Sequence, residues 1–247
     1  MKKIITTFII VASVISITMF YNKQPKPQIS NIQLIEINGA LHHEAMNVLI
    51  TPYRNIKNES MNVVIGEATE TMEVAKPESP LTRLIADILL TEARKYIPDT
   101  DFAVTNIGGI RRTLFQGNIT IGDVFEILPF DNSLLVLEYK GTDILALADA
   151  IAAKGGESIS GITFDIINNK AENIKINGLP IDTARTYKVI STDYLSWGND
   201  QLSPLANYIN STPLNMMMRD AMFDYVTCAT INNKKISAPT DYCITIK

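Results

Sequence analysis

Residues that bind transition metals are scarce in this sequence. It contains two histidines, the adjacent pair His42 and His43, and two cysteines, Cys228 and Cys243. Adjacent residues of a strand point to opposite faces, so the histidine pair is poorly placed to share one ion. The sequence also contains no CxxC motif and no cluster of histidine with cysteine. We therefore expect no metal site and no cofactor in this chain.

An excess of positive charge is also missing. The chain has 22 lysines and arginines against 26 aspartates and glutamates, a net charge of −4 and a pI of about 5.3. Proteins that bind nucleic acids normally carry a basic face, so we expect no nucleic-acid partner. Internal repeats and low-complexity tracts are absent too. With 247 residues, 46% of them hydrophobic, the chain suits one globular domain or two small ones.

One long uncharged apolar run is present, at the N-terminus. Lys2 and Lys3 precede it, it extends over residues 4–21, and Lys23 follows. As a helix it spans roughly 27 Å, close to the thickness of a bilayer core. We interpret residues 1–21 as a signal peptide or an N-terminal membrane anchor, 22–40 as a tether, and 41–247 as the folded domain. The chain is then exported, and is either periplasmic or anchored to a membrane and facing the periplasm or the outside.

Export bears on the two cysteines. In an oxidising compartment, a disulfide between Cys228 and Cys243 would tie down the C-terminal tail. The alternative is two buried free thiols.

Helical and strand patterns alternate along the remainder. Ser79-Pro80 is a favoured helix start and Thr120 with Asp123 another, while Thr142 and Thr212-Pro213 indicate two more helices. Strands are predicted at 102–105 and 134–139, as a meander over 162–192 with turns at "NNK" and "NG", and at "CITIK". Because hairpin signals are frequent, we predict an α+β fold with mixed, largely antiparallel sheet layers packed with helices.

The segment "NIGGIR", residues 106–111, follows a predicted strand and is a candidate binding loop. Glycine allows a ligand to approach the backbone closely, and arginine binds phosphate through its planar fork. On its own the loop favours an ordinary strand-ending turn with solvated arginines, because short glycine motifs are weak signals.

Two further segments give the loop a context, "EILPF" at 126–130 and "YLSWGND" at 194–200. In order and spacing, the three segments resemble the C-terminal domain of secreted 5′-nucleotidases, a family that includes UDP-sugar hydrolases and cyclic phosphodiesterases. The resemblance extends over about residues 60–227. It implies the fold of that domain and a role in binding nucleosides or nucleotides.

The resemblance assigns a role to each matching residue. Asn106 lies near the base and Arg111 holds the phosphate, with Gly108 and Gly109 between them. Phe130 and Tyr194 stack on the two faces of the base, and Asp200 binds the ribose hydroxyls. Residue chemistry is consistent with these roles, since aromatic rings stack on bases and an ionised aspartate accepts hydroxyl hydrogen bonds. Phe130 and Tyr194 as core residues, and Asp200 as a turn residue, remain alternatives.

Four positions depart from the family pattern. Ile107 and Asn199 each replace a glycine, and isoleucine tolerates a positive φ poorly. Trp197 replaces a small or polar residue, so it would either extend the base slot or fill it. Lys76 is the sole cation in a segment where the family often has further phosphate-binding arginines.

The resemblance does not include a catalytic domain. Family members hydrolyse phosphate esters with an N-terminal domain that binds two metals through Asp, His and Asn, and this sequence contains neither Asp-x-His nor Gly-Asn-His. Whether the chain is an enzyme stays open, and none of its residues is assigned a catalytic role. One hypothesis is the nucleotide-recognition subunit of a split 5′-nucleotidase in nucleotide catabolism, with divalent metals in a separate metallophosphoesterase chain. The others are a non-catalytic exported binding module for nucleotides or related ligands, and a purely structural domain.

Overall fold

The computed structural model describes residues 44–247. The chain divides into two units, Met1–Ile50 and Thr51–Lys247. The predicted signal or anchor segment, the tether and the pair His42 and His43 lie outside the described residues. Among residues 44–247, no helix has the length and apolar character needed to cross a bilayer.

Six helices and eleven strands make up the described part of the chain. The helices are α1 Glu44–Met61, α2 Pro80–Tyr96, α3 Ile121–Ile127, α4 Gly141–Ala153, α5 Asp193–Ser196 and α6 Met218–Ile231. The strands are β1 Val64–Ala68, β2 Phe102–Thr105, β3 Gly117–Thr120, β4 Ser133–Lys140, β5 Ser158–Ser160, β6 Ile162–Ile167, β7 Lys170–Ile176, β8 Leu179–Pro180, β9 Thr186–Thr192, β10 Asn210–Met217 and β11 Ile244–Ile246.

The strands form three sheets. A five-stranded sheet has the order β10-β4-β9-β2-β5, a four-stranded sheet has the order β11-β6-β7-β8, and β1 pairs with β3. Only β2 with β9 and β11 with β6 run parallel. The predicted α+β class with a mixed, largely antiparallel arrangement is therefore confirmed.

The five-stranded sheet is the middle layer of the domain. Along β2, Ala103 packs in one hydrophobic cluster with helices α2, α3 and α6, whereas Phe102 and Val104 pack in a second cluster with α4 and β6. Because successive strand residues point to opposite faces, both faces of this sheet are buried. A sheet held from both sides is a rigid support for the loops at its edge.

Several local predictions agree with the structure. Ser79 caps α2 and Thr120 caps α3, each side chain accepting a hydrogen bond from an amide three residues ahead. Asn168 with Asn169, and Asn177 with Gly178, adopt positive φ at the two hairpin turns. The meander is split, however, since β9 joins the five-stranded sheet while β6, β7 and β8 form the other.

Two predicted helix starts are wrong. Thr212-Pro213 does not begin a helix but lies within β10, where Pro213 pairs with Leu135 of β4. Because β10 is the edge strand, Pro213 is tolerated there, and the pairing with β4 overrides the capping signal. Helix α4 begins at Gly141, so Thr142 is its second residue and not its cap.

Both cysteines are free in the structure, which disagrees with the disulfide alternative, and they are not both buried as the other alternative expected. Cys228 is exposed on α6, whereas Cys243 is partly buried just before β11, where its amide donates to the Glu78 carboxylate. The burial of Cys243, reinforced by the negative charge of Glu78, raises its thiol pKa to about 12.

This difference predicts selective alkylation of the folded chain. At pH 8 iodoacetamide is expected to modify Cys228 readily and Cys243 hardly at all, because the thiolate is the reactive form. Peptide mass spectrometry measures both sites, and the denatured chain, in which both react, is the control. If both cysteines resisted alkylation until a reductant was added, the result would show that they form a disulfide.

Candidate functional site

A cleft of about 330 Å³ lies at the carboxyl end of β2. Six of the seven residues predicted to bind ligand line it together with Asn132; these are Asn106, Gly108, Gly109, Phe130, Tyr194 and Asp200. They come from three segments of the chain that are widely separated in sequence. The fold thus brings the three motifs to one place, and Arg111 alone of the predicted set is outside the cleft lining.

The glycine loop is a single 3-10 turn, Ile107–Gly109, directly after β2. The Arg111 amide donates to the Ile127 carbonyl at 2.8 Å, which fixes the end of the loop. Ile107 is buried and has a negative φ, so the expected conflict between its side chain and a left-handed backbone does not arise. Isoleucine is tolerated at this position because the backbone of the turn has a negative φ.

Gly108 and Gly109 leave room for the amide of Asn106. A Cβ on Gly109 would lie 3.0 Å from Asn106 Oδ1, and one on Gly108 would lie 3.6 Å from Asn106 Nδ2 and 3.9 Å from Asp200 Oδ2. A Cβ at Gly109 would therefore crowd the Asn106 amide, whereas one at Gly108 would make ordinary van der Waals contact with the polar groups of the cleft. Here the glycines matter for close approach and not for positive φ.

Asn106 carries an unsatisfied acceptor. The residue is only 8% exposed, and among residues 44–247 its Oδ1 is the one buried side-chain nitrogen or oxygen without a hydrogen-bond partner. A buried acceptor left unpaired costs about 1–3 kcal/mol, so such groups are rare unless a ligand or water completes them. A ligand with an N–H or O–H donor in the cleft would satisfy this oxygen.

Phe130 and Tyr194 are half-exposed, at 48% and 43%, which excludes the alternative that they are core residues. Arg219 of α6 holds the loop that carries Phe130, donating to the Leu128 carbonyl and to the Asp131 carboxylate at 3.2 and 2.6 Å. These contacts fix the aromatic side of the cleft.

Tyr194 is held by its neighbours in α5. The Asp193 carboxylate accepts the amides of both Tyr194 and Ser133, at 2.7 and 3.1 Å. Asn199 donates from its side chain to the Tyr194 carbonyl at 2.8 Å. Because Ser133 begins β4, these bonds attach α5 to the five-stranded sheet.

Asp200 lies in a turn and lines the cleft at once. Its φ is +56°, and Gln201 and Gly198 are also left-handed, whereas Asn199, which replaces a glycine of the family pattern, is not. The Lys154 ammonium pairs with Asp200 Oδ2 at 3.3 Å and donates to the Asp200 carbonyl at 2.6 Å. Both readings of Asp200, turn residue and cleft residue, therefore describe it.

Arg111 and Arg112 differ in their environment. Arg111 is exposed and donates from one guanidinium nitrogen to the Gly108 carbonyl at 3.0 Å. Arg112 forms ion pairs with Asp123 and Glu126 and lies over the ring of Phe115. Arg111 thus sits beside the cleft loop with donors to spare, while Arg112 is engaged by the protein.

Three residues of the site region were not predicted. Asn132 follows Phe130 by two positions, so the motif could have indicated it. Lys154 and Glu157, at the end of α4, form a buried ion pair behind the cleft, with side chains 10% and 2% exposed. The two residues are only three positions apart, but the contact of Lys154 with Asp200 depends on how α4 packs against the Asp200 turn, and no local pattern in "KGGE" indicates it.

The remaining departures have simple outcomes. Trp197 is 80% exposed and outside the cleft lining, so it neither extends nor fills the slot. Lys76 donates to the Lys154 carbonyl at 2.5 Å. Within residues 44–247, no group of three His, Cys, Asp or Glu side chains is arranged to hold a metal ion.

The chain is similar to known proteins over most of its folded part. A family model described as the C-terminal domain of 5′-nucleotidase matches residues 64–208. Protein UshA of Yersinia enterocolitica is 26% identical over 175 residues, which cover 68% of this chain and 32% of that protein. A 5′-nucleotidase of Vibrio vulnificus is 28% identical over 180 residues, with the same two coverages.

Solved structures give the same result. The 5′-nucleotidase precursor of Thermus thermophilus superposes with a TM-score of 0.68 at 25% identity, covering 82% of this chain and 42% of that one. The chain spans about a third of the length of the curated relatives it matches.

Proposed function

This chain belongs to the 5′-nucleotidase C-terminal domain family, as its three motifs predicted, and from that premise we propose that it binds nucleosides and nucleotides in the cleft at the end of β2. Asn106, Gly108, Gly109, Phe130, Tyr194 and Asp200 form the base and ribose site. Arg111 contacts the phosphate from beside it.

The assembly of this cleft is the observation that carries the proposal. Its volume of about 330 Å³ suits a small ligand. Two exposed aromatic rings offer faces for stacking on a base, and the unpaired Asn106 oxygen awaits a donor such as a base amino group. Asp200 offers carboxylate oxygens to the hydroxyls of a ribose. Few ligands other than a nucleoside combine a planar ring, a donor edge and paired hydroxyls.

We further propose that hydrolysis takes place on a separate metallophosphoesterase chain. Two-metal hydrolysis requires several Asp, His and Asn ligands around ions about 3.5–4 Å apart. The only histidines of this sequence are His42 and His43. In this scheme the partner holds the divalent metals, and this chain positions the substrate for nucleotide breakdown.

The apolar run at residues 4–21 indicates where in the cell the two chains would act. Preceded by Lys2 and Lys3, it would export the chain or anchor it to the membrane. Both chains would then act in the periplasm or outside the cell, on nucleotides that reach that compartment.

Substitution of Phe130 by alanine tests the base slot. Because each base–aromatic stack contributes about 1–3 kcal/mol, Phe130→Ala is expected to weaken adenosine binding by roughly 5- to 150-fold. Titration calorimetry with the full chain measures the dissociation constant.

Phe115→Ala is the matched control. Phe115 is also an exposed phenylalanine, at 56%, but it lies outside the cleft lining, beneath Arg112. Its loss is expected to leave adenosine affinity within about twofold. Equal affinities for the wild type and Phe130→Ala would remove the ring from the binding site.

A further inference from the structure

We infer that Lys154 is a positioning residue that orients Asp200 toward the ribose hydroxyls and thereby sets the preference for ribose over sugars without those hydroxyls. The inference rests on the proposed function, because it specifies how one wall of the same cleft is held. It concerns a residue behind the cleft that lines none of it.

The Lys154 ammonium contacts three oxygen atoms on two neighbouring segments. The Nζ atom forms a close ion pair with Glu157, donates to the Asp200 carbonyl at 2.6 Å and pairs with Asp200 Oδ2 at 3.3 Å. A lysine has three donors and no acceptor, so three oxygens around the ammonium match the number of its donors. The ammonium is therefore committed to Asp200 and Glu157.

Asp200 needs this support because of its backbone. With φ at +56° it occupies the left-handed region, which a non-glycine residue keeps only when its surroundings hold it there. Lys154 holds both the carbonyl and one carboxylate oxygen of the residue. Among residues 44–247, the second oxygen, Oδ1, accepts no hydrogen bond and stays available to a ligand hydroxyl.

Glu157 connects the same pair to the glycine loop. Its Oε2 accepts the Ile107 amide at 2.6 Å, while Oε1 binds Lys154. One buried ion pair thus joins the loop carrying Asn106 to the turn carrying Asp200. The relative position of the base site and the ribose site is set by this bridge.

The bend between Lys154 and Glu157 is tightly constrained. Gly156 has φ +110°, and a Cβ there would lie 2.1 Å from the Pro77 carbonyl oxygen. Only glycine fits, and the chain must turn back at this point. The bend brings Glu157 beneath its own helix end, where it meets Lys154.

The test compares two ligands that differ only in the ribose hydroxyls, adenosine and 2′,3′-dideoxyadenosine, titrated into the full chain. Hydrogen bonds to a charged acceptor predict that the wild type prefers adenosine by about tenfold or more. Asp200→Asn is expected to lose most of that preference and serves as the reference.

The decisive variant neutralises the pair without leaving a buried charge. In Lys154→Met/Glu157→Gln, the glutamine still accepts the Ile107 amide. We expect the adenosine preference to fall to within about threefold of that of Asp200→Asn, with dideoxyadenosine affinity changed less than about twofold. Lys235→Met, which breaks an exposed pair with Glu67 far from Asp200 in sequence, is expected to leave both affinities unchanged.

Each other outcome overturns the inference in a recognisable way. A preserved preference for adenosine in the double variant shows that Asp200 needs no help from Lys154. Equal losses for both ligands show that the pair only supports the cleft. Failure of the wild type to bind either ligand contradicts the proposed function itself, and the inference with it.

A second variant covers the case in which the double variant does not fold. Lys154→Arg keeps the charge, but its planar fork cannot converge on the three acceptors, so the preference is expected to fall by about threefold or more. An unchanged preference in Lys154→Arg would overturn the positioning role.

Discussion

Incubated with adenosine monophosphate and Mg²⁺, Mn²⁺ or Zn²⁺, the purified chain is expected to release no more phosphate than the buffer control. Enzymes accelerate such reactions by about 10⁶-fold or more, and for two-metal hydrolysis the acceleration depends on ligands that converge on both ions. Residues 44–247 contain no such convergent group, and residues 1–43 offer no aspartate, with one adjacent histidine pair, one glutamate and three asparagines as the potential ligands. A sensitive phosphate assay measures the result.

The complementary half of this experiment adds the proposed partner. A metallophosphoesterase chain encoded beside this one, if it is exported and carries the two-metal motifs, is expected to turn over adenosine monophosphate far better in the presence of this chain. The Phe130→Ala variant is the control, since it should support turnover less well at the same concentration.

Two results would contradict the scheme. Phosphate release that follows this chain through successive chromatographic steps, and that falls in Phe130→Ala, would place catalysis in the chain itself. A partner equally active with and without this chain would favour the non-catalytic binding module.

Residues close in sequence were predictable, because motifs fix their own local geometry. "LPF" places Phe130 directly after α3, and the spacing of Tyr194 and Asp200 puts both at the two ends of one short turn. Because the chain adopts the fold of the family, these three residues come together in the cleft. The half-exposed rings then exclude the core alternative that sequence alone left open.

Residues joined only by tertiary packing were not predictable. The contact of Lys154 with Asp200 depends on how α4 meets the Asp200 turn, and Arg219 reaches the loop of Phe130 from a helix nearly ninety residues further on. The same limit explains the errors. A capping signal at Thr212-Pro213 yields to pairing with β4, and whether Cys228 and Cys243 bond depends on how α6 and the C-terminal tail pack, which the local sequence does not determine.

Substitution of Arg111 is expected to weaken the binding of the phosphate group and to leave the binding of the nucleoside unchanged. Arg111→Ala should weaken the binding of adenosine monophosphate by about 1.5–3 kcal/mol, roughly 10- to 150-fold in the dissociation constant, because a charge-assisted hydrogen bond to the phosphate is lost. Adenosine lacks that acceptor, and its affinity should stay within about twofold. Calorimetry with the two ligands measures the difference directly.

Arg111 lies beside the cleft, where it can reach a phosphate group. The side chain does not line the cleft, yet its bond to the Gly108 carbonyl, at 3.0 Å, keeps the guanidinium beside the loop that does. A phosphate on the 5′ carbon of a ribose bound at Asp200 would extend out of the base slot, so a contact from beside the cleft is the geometry we expect. Only one of the five guanidinium N–H donors is used within the described residues, which leaves a pair for a bidentate contact.

Arg112→Ala is the matched control, one residue further along. Its guanidinium is held by Asp123, Glu126 and the Phe115 ring, so its removal should change the affinity of neither ligand by more than about twofold. Equal losses of adenosine and its monophosphate in Arg111→Ala would mean that Arg111 supports the loop through Gly108 and does not touch phosphate. A loss confined to the monophosphate, with Arg112→Ala unchanged, would identify Arg111 as the phosphate ligand, because the two ligands differ by the phosphate alone and the control removes an equal charge from the neighbouring position.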